Sequence, residues 1–217
     1  MERIICLAIG YVFGMFQTSY FIGKMHHQDI RNCGSGNAGT TNALRTFGKK
    51  AGAMTLVCDI LKCVIAILIV DAVFKKNCQE ILPLLGMYTA AGCVLGHNFP
   101  FYLNFRGGKG IAVSVGMLMA LDWRVFLICA AVFFAIFFTT HYVSLCSVTA
   151  YVTALVAFVA FGAAGSYGMS RALTIEMDVV MVCLTGLAVY RHRSNISRLI
   201  KGTENKTYLG KSRKKKG

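Results

Sequence analysis

The stretch VFLICAAVFFAIFF (125–138) carries no charged side chain and no strong hydrogen-bonding group. A polar interruption, TTHYVSLCS (139–147), follows it, and then a second apolar run, VTAYVTALVAFVAF (148–161). A helix rises about 1.5 Å per residue, so crossing a hydrocarbon core of about 30 Å takes about 20 residues. Two such runs around one short polar break predict a helical hairpin that crosses a bilayer twice. Working outward, the same criterion gives spans at 4–23, 53–74, 82–98, 110–122, 124–140, 143–162 and 173–190. The fourth is short, which suits a tilted or re-entrant segment, and Asp122-Trp123-Arg124 separates it from the fifth. The prediction is an all-α, polytopic integral membrane protein with seven transmembrane helices. It forms one domain over 1–200, and a basic, disordered cytoplasmic tail follows over 201–217. Bilayer burial takes the place of a soluble core, in keeping with the 56% hydrophobic content and mean hydropathy of +0.58. Met1–Arg3 leads into the first run with no cleavage-site pattern, so that run is expected to stay as a span.

A net charge of +14 could point to nucleic acid, but in a membrane protein excess Lys and Arg gather in cytoplasmic loops. With the C-terminus inside, only Arg3, Lys75, Lys76, Arg124 and Arg171 fall outside, and Lys62 lies within a span. All the rest of the 23 Lys and Arg are inside. The expected topology is N-out and C-in, with the lipid bilayer rather than nucleic acid as partner. The tail KSRKKK (211–216) suits contact with anionic lipid. This orientation puts the polar loops 24–52, 96–110, 140–147 and 191–195 on one cytoplasmic face. The nine cysteines form no CxxC pair and sit mostly in apolar runs, so they read as small apolar fillers.

Four motifs line that face. GSGNAGTTN (34–42) has glycines that let the backbone turn and present N–H groups to an anion. Ser35, Asn37, Thr41 and Asn42 add side-chain donors, and Thr41 or Asn42 can cap a short helix over Ala43–Phe47. Arg45 adds charge. The GK[ST] ending of a Walker loop is absent. GHNFPFYLNFRGGKG (96–110) combines Gly107, Gly108 and Gly110, which permit close approach to a ligand, with the point charge of Lys109. HYVSLCSV (141–148) places Ser144 and Ser147 on one helix face, where hydroxyls bond either phosphate or the helix's own carbonyls. YRHRSNI (190–196) does the same for His192 and Asn195. Within the second span, Asp59 and Lys62 are three apart and can pair. Pairing lowers a cost of about 2.5–3.5 kcal/mol for a charge at the bilayer centre, and it can orient the loop above.

Some chemistries are missing. No histidine is followed by an aspartate in an H-x4-D pattern: Tyr102, Cys146 and Ser197 stand where it would fall. The loops hold no carboxylate cluster for a two-metal site, and there is no GxSxG elbow. No metal or cofactor is expected. A transporter of a phosphorylated metabolite is the alternative reading. It would need polar residues through the full membrane depth, and the outer halves of these spans nearly lack them.

Taken together, GSGNAGTTN, GHNFPFYLNFRGGKG, YVSLCS (142–147) and YRHRSNI closely resemble the acyl-phosphate:glycerol-3-phosphate acyltransferase family, PlsY. DILK (59–62) fits as well. The resemblance runs through about Arg198. Departures are Thr40 for a frequent Ala, Cys63 and Asn104 for frequent glycines, and Ser194 for a frequent Glu. The resemblance implies a bacterial inner-membrane enzyme with a cytoplasmic site. It would pass an acyl chain from acyl phosphate to glycerol 3-phosphate, giving 1-acyl-glycerol 3-phosphate (lysophosphatidic acid) and phosphate, the first step of phospholipid biosynthesis. An acyl-phosphate-producing enzyme would be a membrane partner. The expected phosphate and substrate ligands are Gly34, Ser35, Gly36, Asn37, Thr41, Asn42, Arg45, Gly107, Gly108, Ser144 and Ser147. Lys109, His192 and Asn195 are the expected catalytic group. His192 is either a general base or a bystander to proton transfer by the substrate's own phosphate, and the lack of an obvious base–orienter pair favours the second.

Overall fold

The computed structural model describes residues 1–208, so most of the expected tail, KSRKKK included, lies outside the described residues. The described residues are helical, in the order α1 (Glu2–Gly14), α2 (Thr18–Met25), α3 (Thr40–Phe47), α4 (Lys49–Phe74), α5 (Leu82–Asn98), α6 (Ile111–Leu121), α7 (Trp123–Thr140), α8 (Val143–Ala163), α9 (Arg171–Arg191) and α10 (Arg193–Ile200). Five segments are long and apolar enough to cross a membrane: Glu2–Met25, Lys49–Phe74, Trp123–Thr140, Val143–Ala163 and Arg171–Arg191. α5 has 17 residues and α6 has 11. Phe138, Val156, Val179 and Leu68 point outward and are exposed, the pattern of a lipid-facing belt.

The expected first span, 4–23, is broken. The chain leaves helical geometry at Gln17 (φ −104°, ψ 88°). Its side chain is wholly buried, and its Nε2 donates to the His97 carbonyl at 2.8 Å. Lys62 Nζ donates to the Phe16 carbonyl at 2.7 Å. The Phe16 carbonyl, which an unbroken helix would pair with Tyr20, thus finds a side-chain partner inside the bundle, as a break at this depth demands.

α1 lies against α5 through four glycines. Gly10 and Gly14 on α1 face Gly92 and Gly96 on α5, each pair four residues apart. A Cβ on Gly10 would stand 2.0 Å from the Thr89 carbonyl oxygen, and one on Gly92 would stand 2.1 Å from that of Leu7. This is the small-xxx-small contact that lets transmembrane helices touch backbone to backbone. Gly116 does the same for α6, whose Cβ would stand 2.4 Å from the Ile60 oxygen of α4. Met87, Met117, Phe158, Met177 and Met181 fill the core between these helices and α8 and α9.

Candidate active site

The first glycine loop is built around Asn42. Its Oδ1 accepts from the Ser35 N–H at 3.0 Å, and its Nδ2 donates to the carbonyls of Ile30 (3.2 Å) and Cys33 (2.9 Å). Both ends of the amide are engaged and the residue is buried. Asn42 therefore shapes the loop, contrary to the expectation that it offers a donor to a ligand. Gly34 (φ +55°) has no room for a side chain, because a Cβ would stand 2.3 Å from Asn42 Oδ1. The helix that follows starts earlier than expected. Gly39 is its N-cap, with no capping side chain, and it runs over Thr40–Phe47. Among the described residues the N–H groups of Thr40, Thr41 and Asn42 have no acceptor. They form the open, positive end of a helix, and Ser35, Gly36 and Asn37 lie in the turn beside it.

The second loop is held from below and from the side. Asp59 Oδ1 accepts from Lys62 Nζ at 2.8 Å, so the expected ion pair forms, and Lys62 also donates to His97 Nδ1 at 2.9 Å. Gly108 lies against the far edge of the His97 ring: a Cβ there would be 2.1 Å from Nε2 and 2.7 Å from the Ala38 oxygen of the first loop. The N–H groups of Gly107 and Gly108 donate to the carbonyls of Asn98 (3.2 Å) and His97 (3.0 Å). Their carbonyls accept from Arg191 Nη2 at 3.1 and 2.6 Å. The two glycines were expected to approach a ligand. In the structure they approach the protein, and close packing is why a side chain is excluded. Arg31 Nη1 adds a tie from the first loop to the Leu103 carbonyl, 2.9 Å away.

This scaffold presents Lys109. Its ammonium donates to Asn195 Oδ1, which links the second loop to α10. The helix expected to carry His192 and Asn195 on one face bends instead at His192 (φ −96°, ψ 4°), which ends α9 and starts α10. His192 Nδ1 donates to the Ala188 carbonyl at 2.8 Å. The orienting partner missing from the sequence is therefore a backbone oxygen, and Nε2 is left with a lone pair. Ser147 donates to the Val143 carbonyl at 2.7 Å, the within-helix bond, while Ser144 donates to Glu204 at 2.9 Å. Arg45 Nη2 donates to Thr207 Oγ1 at 2.5 Å.

The sequence matches the family described as glycerol-3-phosphate acyltransferase over residues 4–202. It is 42% identical over 210 residues to the glycerol-3-phosphate acyltransferase of Clostridioides difficile (strain 630), covering 94% of each chain. It is 40% identical over 213 residues to that of Lactiplantibacillus plantarum, covering 97% of this chain and 94% of the relative. The fold is similar to the crystal structure of PlsY, an integral membrane glycerol 3-phosphate acyltransferase, in its glycerol 3-phosphate form. The TM-score is 0.80, with 33% identity and 96% of each chain covered. Its lysophosphatidic acid form gives a TM-score of 0.78 at 31% identity. The chain belongs to the glycerol-3-phosphate acyltransferase family. It is an all-α integral membrane protein.

In this member of the acyltransferase family, burial and the neighbouring charges set the protonation states of the site. Burial lowers the Lys109 pKa to about 8. Glu204 opposes that fall, and Arg198, Arg191 and Arg45 add to it. At pH 7 roughly nine-tenths of Lys109 is still charged. Burial, with Lys109 close by, lowers His192 to about 4, so its ring is neutral at pH 7. Sequence reasoning missed Glu204 and the segment around it. The tail expected from residue 201 is pinned as far as Tyr208: the Thr207 N–H donates to the His141 carbonyl at 2.9 Å, and Tyr208 packs on the His141 ring. The one signal in the sequence was Glu204 itself, an acid among the bases that follow Arg191.

Proposed function

We propose that the protein transfers an acyl chain from acyl phosphate to the sn-1 hydroxyl of glycerol 3-phosphate, releasing lysophosphatidic acid and phosphate. The observation that carries this reading is the convergence of Lys109, Asn195, His192, Ser144 and the uncapped start of α3 at one end of the bundle. It is supported by a fold shared with a PlsY enzyme crystallised in glycerol 3-phosphate and lysophosphatidic acid forms. Cation and N–H donors suit two anionic substrates. Among the described residues no serine or cysteine is paired with His192, so the geometry favours direct transfer over a covalent acyl-enzyme.

The mechanism is one of holding and aligning. The α3 start and Lys109 take up phosphate charge, and Arg45 adds long-range attraction. The free Nε2 of His192 accepts from the attacking hydroxyl and fixes its direction. Placing both reactants correctly supplies about 7–11 kcal/mol of the barrier. At a pKa of about 4, His192 is a weak base. A substrate phosphate monoester, with a pKa near 6, is about two units more basic and is the better proton acceptor. As the hydroxyl oxygen bonds to the acyl carbon, the carbon–oxygen bond to the leaving phosphate breaks, and the departing phosphate needs no acid.

The same reading makes α5 and α6 the third and fourth of seven spans, with N-out topology and the site on the cytoplasmic side of a bacterial inner membrane. Eleven residues of α6 rise only about 16 Å. The polar loop before it is therefore expected to enter the bilayer from the inner face, where backbone is tolerated because it is buried in protein. Lys and Arg in the loops favour that side. An acyl-phosphate-producing enzyme is the expected neighbour, since an acyl phosphate hydrolyses readily in water.

The deciding assay offers labelled glycerol 3-phosphate with palmitoyl phosphate or palmitoyl-CoA to the detergent-purified protein. Lysophosphatidic acid from the acyl phosphate alone is the expected result. Product from the thioester alone overturns the donor assignment, and product from neither overturns the enzyme reading.

A further inference from the structure

Glu204 follows α10, outside the four motifs that the sequence singles out, yet its carboxylate joins three polar groups of the site. Oε1 accepts from Ser144 Oγ at 2.9 Å and from Asn195 Nδ2 at 2.7 Å, and Oε2 accepts from Arg198 Nε at 2.6 Å. The segment that carries it is fixed on both sides. The Thr203 N–H donates to the Arg198 carbonyl at 2.8 Å and that of Thr207 to the His141 carbonyl at 2.9 Å. Arg45 reaches over to Thr207 and to the Asn205 carbonyl.

An asparagine amide has two faces that differ only in which atom donates. Because Asn195 Nδ2 donates to Glu204, Oδ1 must face the other way, and that is the atom to which Lys109 donates. Without Glu204 the Nδ2 end of the amide loses its acceptor, and only Lys109 is left to hold Oδ1 in place, so both side chains are less firmly fixed. We propose that Glu204 is a positioning residue of the acyltransferase, which fixes the Asn195 amide and through it aims Lys109 at the substrate phosphate. This inference rests on the function proposed above.

The electrostatics agree. Burial would raise the Glu204 carboxyl, but the hydrogen bonds from Asn195, Arg198 and Ser144 outweigh it and hold the group below its usual range. Glu204 is an anion at neutral pH, and it is the neighbour that keeps Lys109 protonated against burial and the cations Arg198, Arg191 and Arg45. His192 also faces Lys109 but is neutral at pH 7.

A competing idea makes the carboxylate a plug that glycerol 3-phosphate must expel. The two differ in sign. Glu204→Gln keeps the shape and removes the charge. As a positioning residue its loss raises KM for glycerol 3-phosphate about tenfold, and the alkaline limb of the pH profile moves to lower pH by at least about 0.5 unit. Lys109 labelling by an amine-reactive reagent, followed by mass spectrometry, moves by the same amount and needs no turnover. Glu204→Asp, which retains the charge, leaves the limb in place while KM rises, and it decides the matter should the Gln variant not fold. A purely structural role would lower the yield of folded enzyme without moving KM, limb or labelling. That result overturns the proposal, and so does a KM that falls, which is the signature of a plug. If the wild type makes no product from either donor, the proposed function fails. The labelling shift then still reports whether Glu204 governs Lys109.

Discussion

The two glycine-rich loops look alike in sequence, and the structure uses them in opposite ways. In the second, the N–H and C=O groups of Gly107 and Gly108 are all engaged by His97, Asn98 and Arg191, and the glycines are small because protein fills the space around them. In the first, the amide of Asn42 is used internally, and the first N–H groups of α3 are left without acceptors. One loop is an arm for a single charged side chain, and the other leaves free backbone donors, which the proposed function uses as an anion cradle. Glycine richness alone does not distinguish the two.

The difference can be tested. Lys109→Ala removes what the second loop exists to present, and kcat/KM should fall about 10²–10³-fold with little change in thermal stability. Normal activity would remove Lys109 from the site. Gly108→Ala should act through the fold instead. A methyl 2.1 Å from His97 Nε2 forces repacking worth about 1–3 kcal/mol, read as a lower unfolding midpoint in detergent together with lost activity. Gly36→Ala meets only the Arg31 oxygen at 3.1 Å, with a φ of +71° to strain, a cost of about 1–2 kcal/mol. It should weaken glycerol 3-phosphate binding and lower the midpoint less than Gly108→Ala. Equal midpoints for the two would mean that both loops use their glycines for packing.

Smaller effects follow. His192→Gln can still present an acceptor to the hydroxyl, and turnover within tenfold of wild type is expected. A loss beyond about a hundredfold would make His192 an essential base. Smallest is the response to pH. Lys109 loses its proton as pH rises through about 8, so kcat/KM should fall by roughly half between pH 7 and 8. The sign for stability is opposite. A lysine whose folded pKa lies below its unfolded value disfavours folding while charged, so this destabilisation is full below about 8 and fades toward the unfolded value near 10.4.

The apolar runs were legible because one hydrocarbon thickness sets their length, and the loops because small and amide residues cluster between them. The Asp59–Lys62 pair was legible because its partners are one helical turn apart. What was not legible involves partners distant in the chain. Gln17 and Lys62 both meet His97, and Arg191 holds Gly107 and Gly108 across more than 80 positions. In the stretch 4–23 the break is marked only by the polar run Gln17-Thr18-Ser19, and the role of Gln17 makes sense only once its partner is known. The Gly10–Gly14 and Gly92–Gly96 spacings were present in the sequence, but which face meets which helix is a fact of packing. Residues 201–208 were read as tail because basic residues surround Glu204, and composition is silent on a single carboxylate that meets three polar partners.

The break between α1 and α2 also has a bearing on biogenesis. The groups that satisfy it, Lys62 on α4 and the carbonyl and ring of His97 on α5, leave the ribosome well after Phe16 and Gln17 do. An unpaired carbonyl in lipid costs several kcal/mol, so the first segment is expected to enter the membrane as an unbroken helix. The kink is expected once α4 brings Lys62 to the Phe16 carbonyl, and α5 then fixes it by giving Gln17 its partner in His97. Because the same His97 supports Gly108, the arm that carries Lys109 is expected to take shape only once α5 is in place, so a nascent chain stalled before α5 would be inserted yet inert.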